Sequence, residues 1–249
     1  MSWAYGAVGL KAWHPMRQHF LGKTGTLICF EDNSTSLRKQ FYPLYKSHRV
    51  ERKLRRPRPS HEKVRVFQDI MREDASLNLV EFPGLEADDL IALLAPKYQL
   101  PIIATDKDLL QIPGVQINKL DGMPLEIANF ARRLPKYVQP WVKTPEDILL
   151  TLTLMGDKSD DIPRLVRPRE LAVMVHLLGT KNRWEIAYDM FKGDLLRNLY
   201  LAVLPAPWCF NPVPTPMQVF ESILCGRPIG RVLRQDLKQW LRAQRHVLP

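Results

Sequence analysis

Seven carboxylates fall in three short stretches of this chain: Glu86, Asp88 and Asp89 in GLEADDL, Asp106 and Asp108 in ATDKDLL, and Asp157 and Asp160 in MGDKSDDIP. Each stretch borders an apolar segment, from which a fold can turn side chains toward a common point. Two carboxylates about 4 Å apart repel by about 4 kcal/mol at an effective dielectric of roughly 20. The seven are therefore either scattered over the surface or gathered around cations. Oxygen donors without paired His or Cys favour Mg²⁺ or Mn²⁺ over zinc. Pairs of such ions held by carboxylates are a means of hydrolysing phosphodiesters.

The charge balance points the same way. The 249 residues carry a formal net charge of +10, which calls for a polyanionic partner. The excess is uneven: Lys46 to Arg65 holds nine Lys or Arg residues against Glu51 and Glu62 alone. An apolar fraction of 45% suits a globular core, as one large domain or two small ones. Cys29, Cys209 and Cys225 are odd in number and lack CxxC spacing, so they read as reduced core thiols of a cytoplasmic protein. No apolar run reaches transmembrane length, and the first residues lack the order of a signal peptide.

The acids need elements to position them. Gly25–Phe30 (GTLICF) predicts a buried strand ending at Glu31 and Asp32, and Gln99–Ala104 (QLPIIA) another ending at Asp106. A further strand is expected at Leu79–Phe82, and a helix opens at Glu86 with acids in its first turn, where the helix dipole favours them. Strands that deliver polar residues at their C-terminal ends, alternating with helices, imply a parallel α/β sheet with its site along that edge. After Pro145 the pattern turns helical, over Glu146–Met155, Arg169–Leu178, Arg183–Phe191, Pro216–Leu224 and Arg231–Val247.

In their order and spacing the three acidic motifs resemble those of the 5′-nuclease superfamily: phage 5′→3′ exonucleases, flap endonucleases and the small domain of bacterial DNA polymerase I. A fourth match, CFEDNSTSLRKQFYPLYKSHR, is similar to the family's strand ending in Phe-Asp, followed by an Arg and then Tyr-Lys-x-x-Arg. The resemblance implies two ions, Mg²⁺ or Mn²⁺, with Glu86, Asp88 and Asp89 serving the first and Asp106, Asp108, Asp157 and Asp160 the second. Lys46 and Arg49 would approach the scissile and a neighbouring phosphate. Arg38, Tyr45 and the run Arg52, Lys53, Arg55, Arg56 and Arg58 would meet the DNA, the last five in an arch over about 46–72. Contacts of this kind go to the backbone, so affinity should fall with salt and show little sequence preference. Tyr45, with Phe41 and Tyr42, would offer rings to a base, while Phe41 reads equally well as core.

The chain also departs from the family. The usual first strand, ending in a metal-ligating Asp, would lie before the start of this chain, leaving the sheet without a central strand and the first ion without one ligand. Glu31 aligns where the family has a metal-ligating Asp and would serve the metal, through water, unless Asp32, one residue out of register, is the ligand; Asp161 stands in place of Asn and reads as a solvated neighbour. The helix–hairpin–helix turn, PRLVRPRELA, has no glycine but carries Arg164, Arg167 and Arg169. Glycine permits close backbone approach; without it the amide cradle and its K⁺ site lose their basis, and the arginines would take over the phosphate contact.

The resemblance thus implies an α/β nuclease core over 1–145, a helix–hairpin–helix-like DNA-binding region over 146–205 and C-terminal helices over 206–249. The implied protein is a monomer acting on DNA with a free 5′ end or flap, or on an RNA–DNA hybrid, in replication or repair. The alternatives are a 5′-nuclease-like DNA-binding protein with impaired catalysis and a PIN-type ribonuclease.

Overall fold

Two pairs of parallel strands carry the polar loops of the first half. β1 (Leu27–Phe30) pairs with β2 (Leu77–Val80), Leu27 opposite Leu77 and Phe30 opposite Val80, and β3 (Ile102–Ile103) pairs with β4 (Ile117–Asn118). In this computed structural model the described residues are 27–30, 36–48, 77–119, 121–167 and 170–244, with isolated positions 18, 69 and 73. Among them no fifth strand joins the two pairs, so the expected parallel sheet is present as two separate halves. Glu31, Asp32, Arg49, the basic run Arg52–Arg58 and Arg169 lie outside the described residues.

Several of the described helices open on capping residues, while the helices expected from Arg169 and Arg231 begin later, at Leu171 and Gln235. α1 (Leu37–Phe41) begins after Ser36, whose hydroxyl accepts from the Arg38 N–H. α2 (Ala87–Tyr98) opens at Glu86, whose N–H donates to Asp89 Oδ2, and stops at Gln99 with φ +53°. α3 (Ile127–Ala131) is short. α4 (Pro145–Met155) has a reciprocal capping box: Thr144 Oγ1 accepts from the Asp147 N–H while Asp147 Oδ2 accepts from the Thr144 N–H, with Pro at the first helical position. α5 (Leu171–Gly179) and α6 (Arg183–Ala202) follow, α6 kinking at Lys192, φ +47°, just before Gly193. α7 (Pro216–Leu224) repeats the Thr-Pro start with a Thr215/Gln218 box, and α8 (Gln235–Ala243) completes the described chain.

One continuous apolar cluster runs from Phe82 through Ile148 and Leu199 to Leu241, so both halves of the molecule share a core. Cys29 and Cys209 are buried as expected; Cys225 is exposed, which corrects its reading as a core thiol, because it caps the solvent-facing end of α7. No helix among the described residues is long and apolar enough to cross a membrane.

Candidate active site

Glu86, Asp88 and Asp89 occupy the N-cap and first turn of α2, where adjacent side chains diverge around the helix. Their fates diverge with them. Asp89 turns inward, is fully buried, and takes a two-pronged ion pair from Arg38, Nη1 to Oδ2 at 2.6 Å and Nη2 to Oδ1 at 2.8 Å. Its oxygens also accept the N–H groups of Ala206 and Glu86. Arg38 is itself only 2% exposed and donates from Nε to the Leu201 carbonyl at 3.0 Å. Two expectations are thereby corrected. Arg38 is a buried structural cation that cannot lie on an open DNA track, and Asp89 is saturated by protein donors.

Glu86 is engaged as well. Its Oε2 receives Lys46 Nζ at 2.7 Å and the Tyr45 hydroxyl at 3.1 Å. Burial pushes its carboxyl up, but Arg38 and Lys46 outweigh that and hold it down at about 2. Tyr45 is 2% exposed, packed with Ile162 and Leu201, and its hydroxyl also lies 2.9 Å from Asp160 Oδ2. One hydroxyl proton serves one carboxylate at a time, so Tyr45 bridges the first and third acidic motifs. Its expected role as a stacking platform is corrected, because burial leaves no ring face for a base.

Asp88 differs from both neighbours. It lines a narrow cavity of about 20 Å³ together with Asp108, Asp157 and Asp160, and Arg38 and Tyr45 form part of the wall. Its Oδ1 is buried without a hydrogen-bond partner. Burial, then Asp89 and Glu86, drive its carboxyl well above the ordinary aspartate range, with Arg38 and Lys46 offsetting only part. Asp108 is pushed up to about 8 by burial and by Asp106, Asp157 and Asp160. Asp106 is exposed and accepts the Asp108 N–H at 3.0 Å. The three motifs thus meet, far apart in sequence though they are.

The loop that brings the third motif in is tightly specified. Gly156 has φ +61°, and a Cβ there would lie 2.3 Å from the Ile162 carbonyl oxygen, so only glycine permits the closure made by the Asp157 and Ile162 backbones. Asn198, fully buried, donates to the Thr153 and Pro163 carbonyls and holds both ends of that turn. Asp161 sits at φ +56°, a region Asn and Asp tolerate best. Its Oδ2 receives the His48 N–H, the Ser47 hydroxyl and His48 Nδ1, the last at 2.7 Å. It is therefore a clamp on the segment bearing Lys46, correcting its reading as a solvated neighbour. Lys46, at φ +55°, donates its N–H to the Asp160 carbonyl, and its Nζ stands 3.7 Å from Asp160 Oδ2.

Among the described residues no three acidic, His or Cys side chains stand close enough together to hold one metal ion as placed. The donor set nevertheless fits a hard divalent cation: an orphaned buried Asp88 oxygen and an Asp108 carboxyl raised by its acidic neighbours are relieved by added positive charge. Arg164 and Arg167 are exposed on the turn after Ile162.

The model of the family described as "5′-3′ exonuclease, N-terminal resolvase-like domain" matches residues 14–138, half of the chain. The chain belongs to this family. It is 31% identical over 142 residues to the 5′-3′ exonuclease of Aquifex aeolicus, covering 55% of this chain and 46% of that protein. It is 29% identical over 181 residues to DNA polymerase I of Treponema pallidum, covering 65% of this chain and 17% of that one. The chain thus spans about half the length of the exonuclease relative and a small part of the polymerase. In three dimensions it is similar to a bacteriophage T5 flap endonuclease variant solved with DNA and metal ions, at TM-score 0.54 and 18% identity, covering 78% of this chain and 81% of that one. This shared fold is the α/β 5′-nuclease architecture expected from the motifs.

The Arg38–Asp89 pair and the Asp161 clamp were not anticipated from sequence. Asp161 left a trace there, an acid where the family turn has Asn; the Arg38–Asp89 pairing left none.

Proposed function

We propose that the protein is a metal-dependent 5′→3′ nuclease that hydrolyses phosphodiester bonds at 5′ ends and flaps of DNA, and in RNA–DNA hybrids, during replication or repair. The observation that carries this reading is the convergence of Asp88, Asp108, Asp157 and Asp160 on one cavity, with a buried Asp88 oxygen left unpartnered. Those four, with Asp106 beside them, are the residues that would hold divalent ions, Mg²⁺ or Mn²⁺. Bound there, such ions would supply charge neutralisation at a phosphodiester and a more acidic water.

The chain's own groups prepare the same place. Lys46 Nζ, held between Glu86 and Asp160, puts a fixed positive charge at the cavity and would receive a phosphate oxygen of the substrate. Tyr45 orients Glu86 and Asp160 through its hydroxyl, and Asp161 fixes the backbone carrying both Tyr45 and Lys46. Arg164 and Arg167, with Arg49, Arg169 and the basic run Arg52, Lys53, Arg55, Arg56 and Arg58, would follow the DNA backbone.

The test uses labelled 5′-flap DNA, its RNA counterpart and Mg²⁺ or Mn²⁺. Asp106→Ala and Asp157→Ala should each abolish cleavage while leaving DNA binding in Ca²⁺ or EDTA intact. Cleavage retained by either variant overturns the assignment. Binding without turnover by the unaltered protein would instead establish the second reading, a nuclease-like DNA-binding protein. The engagement of Glu86 by Lys46 and of Asp89 by Arg38 favours that reading.

A further inference from the structure

A second pocket, far roomier than the acidic cavity, opens where β3 and β4 end. It measures about 360 Å³ and is lined by Thr105 and Lys107, by Lys119, and by Asn129, Arg132 and Arg133, with no carboxylate on its wall. We propose that this pocket binds a backbone phosphate of the DNA strand whose scissile bond lies in the acidic cavity. The inference rests on the nuclease reading and assigns to that site a second point of attachment.

Four features support it. First, Lys107, Lys119, Arg132 and Arg133 converge without a neutralising partner: among the described residues none of them forms an ion pair, and Arg132 and Arg133 are exposed. Second, the cluster is organised. Lys107 Nζ is anchored on the Asn129 carbonyl at 2.7 Å, which fixes the ammonium at the pocket wall with donors to spare.

Third, the chemistry matches a phosphodiester: two guanidinium forks, an ammonium pair and the Thr105 hydroxyl are donors for phosphate oxygens, and the volume accommodates a sugar–phosphate unit. Fourth, the two sites are interleaved along the chain. Thr105 and Lys107 line this pocket, whereas Asp108 lines the acidic cavity. Four residues span at most about 14 Å, and phosphates follow one another at about 3.4 Å of rise per strand. The bound phosphate is therefore within about four nucleotides of the scissile one.

The experiment compares the unaltered protein with an R132Q/R133Q variant and with an R227Q/R231Q control, whose residues are exposed and do not line the pocket. Both variants lower the net charge from +10 by two, to +8. Binding of fluorescent 5′-flap DNA is measured in Ca²⁺ across a salt series, with melting curves to verify folding. R132Q/R133Q should weaken binding about tenfold and flatten the plot of log affinity against log salt by about one to two units, the control much less.

Equal losses in both variants would reduce the effect to general charge and overturn the proposal. An unchanged salt slope in R132Q/R133Q, combined with loss of thermal stabilisation by inorganic phosphate, would make the pocket a small-anion site and overturn the DNA assignment. Failure of the unaltered protein to bind DNA would sink the nuclease reading itself, and this inference with it.

Discussion

The two acidic halves of the site are built on opposite principles. In the first turn of α2, Glu86 and Asp89 are answered by protein cations, Lys46 and Arg38, and are buried and hydrogen-bonded. Across the cavity, Asp108 is raised to about 8 by burial and by Asp106, Asp157 and Asp160. Asp88 belongs to the first group by sequence and to the second by environment. The contrast separates acids answered by the protein's own cations from acids that face one another. Adjacency in a motif does not decide between them.

Breaking the answered half should cost most. Asp89→Ala strips the buried Arg38 guanidinium of its two-pronged partner and leaves it only Glu86 Oε2 at 3.5 Å as an ion-pair partner, a change worth about 3–5 kcal/mol. The expected result is a melting temperature lower by roughly 10 °C, or insoluble protein, whereas Asp157→Ala should melt at or above the parent temperature. Equal behaviour of the two in thermal melts would erase the contrast.

The unanswered half should reveal itself through pH. Asp108, at about 8 in the folded protein against the ordinary 3.8, keeps its proton on folding while the unfolded chain loses it. Metal-free stability therefore falls as pH rises from about 4 to about 8 and levels off above, at up to about 1.4 kcal/mol per unit for one group. Glu86, at about 2 against 4.5, acts in the other sense: its stabilisation is complete above 4.5 and lost as pH falls through about 2. In EDTA, Asp108→Asn should raise the melting temperature at pH 8 by roughly 5 °C and flatten the decline above pH 4. A slope identical to the parent's would show that Asp108 is not the strained group.

Lys46 stands between the halves, and its removal should tip the balance. Lys46→Met removes one donor from Glu86 Oε2, which Tyr45 still serves, and deletes a positive charge 3.7 Å from Asp160. Mn²⁺ binding measured calorimetrically should tighten several-fold, up to about tenfold for a change of about 1.4 kcal/mol. Weaker binding would mean that Lys46 organises the acids more than it competes for them. The smallest effect is expected at Asp161, half-exposed and at positive φ. Asp161→Asn keeps a side chain suited to that backbone and should shift the melting temperature by under about 2 °C, whereas Asp161→Ala should cost about 1 kcal/mol.

Much of this was legible because it is local. The caps at Thr144 and Thr215, the acids opening α2 and the strand before Asp106 are all written within a few residues of where they act. The strand expected at Leu79–Phe82 begins two residues earlier, at Leu77, in register with β1, and β4 was missed because two residues carry no period of their own. The joint appearance of the acids at one cavity followed from their family spacing. What spacing could not disclose is which side chain across the fold answers which acid. Arg38 and Asp89 are 51 residues apart, and Tyr45 and Asp160 are 115 apart. Arg38 in a basic stretch and Tyr45 among aromatics read as surface for a ligand, and only tertiary packing turns them inward.

The end of α6 has one more consequence. Leu201 takes Arg38, Ala202 and Leu204 exchange hydrogen bonds with Gln111, and Ala206 donates to Asp89. The stretch from 201 to 206 is thus a seam stitching the helical half to the strand-bearing half. A single proteolytic nick in the chain between them would leave the pieces bound together, and calorimetry should record one melting event for the whole molecule.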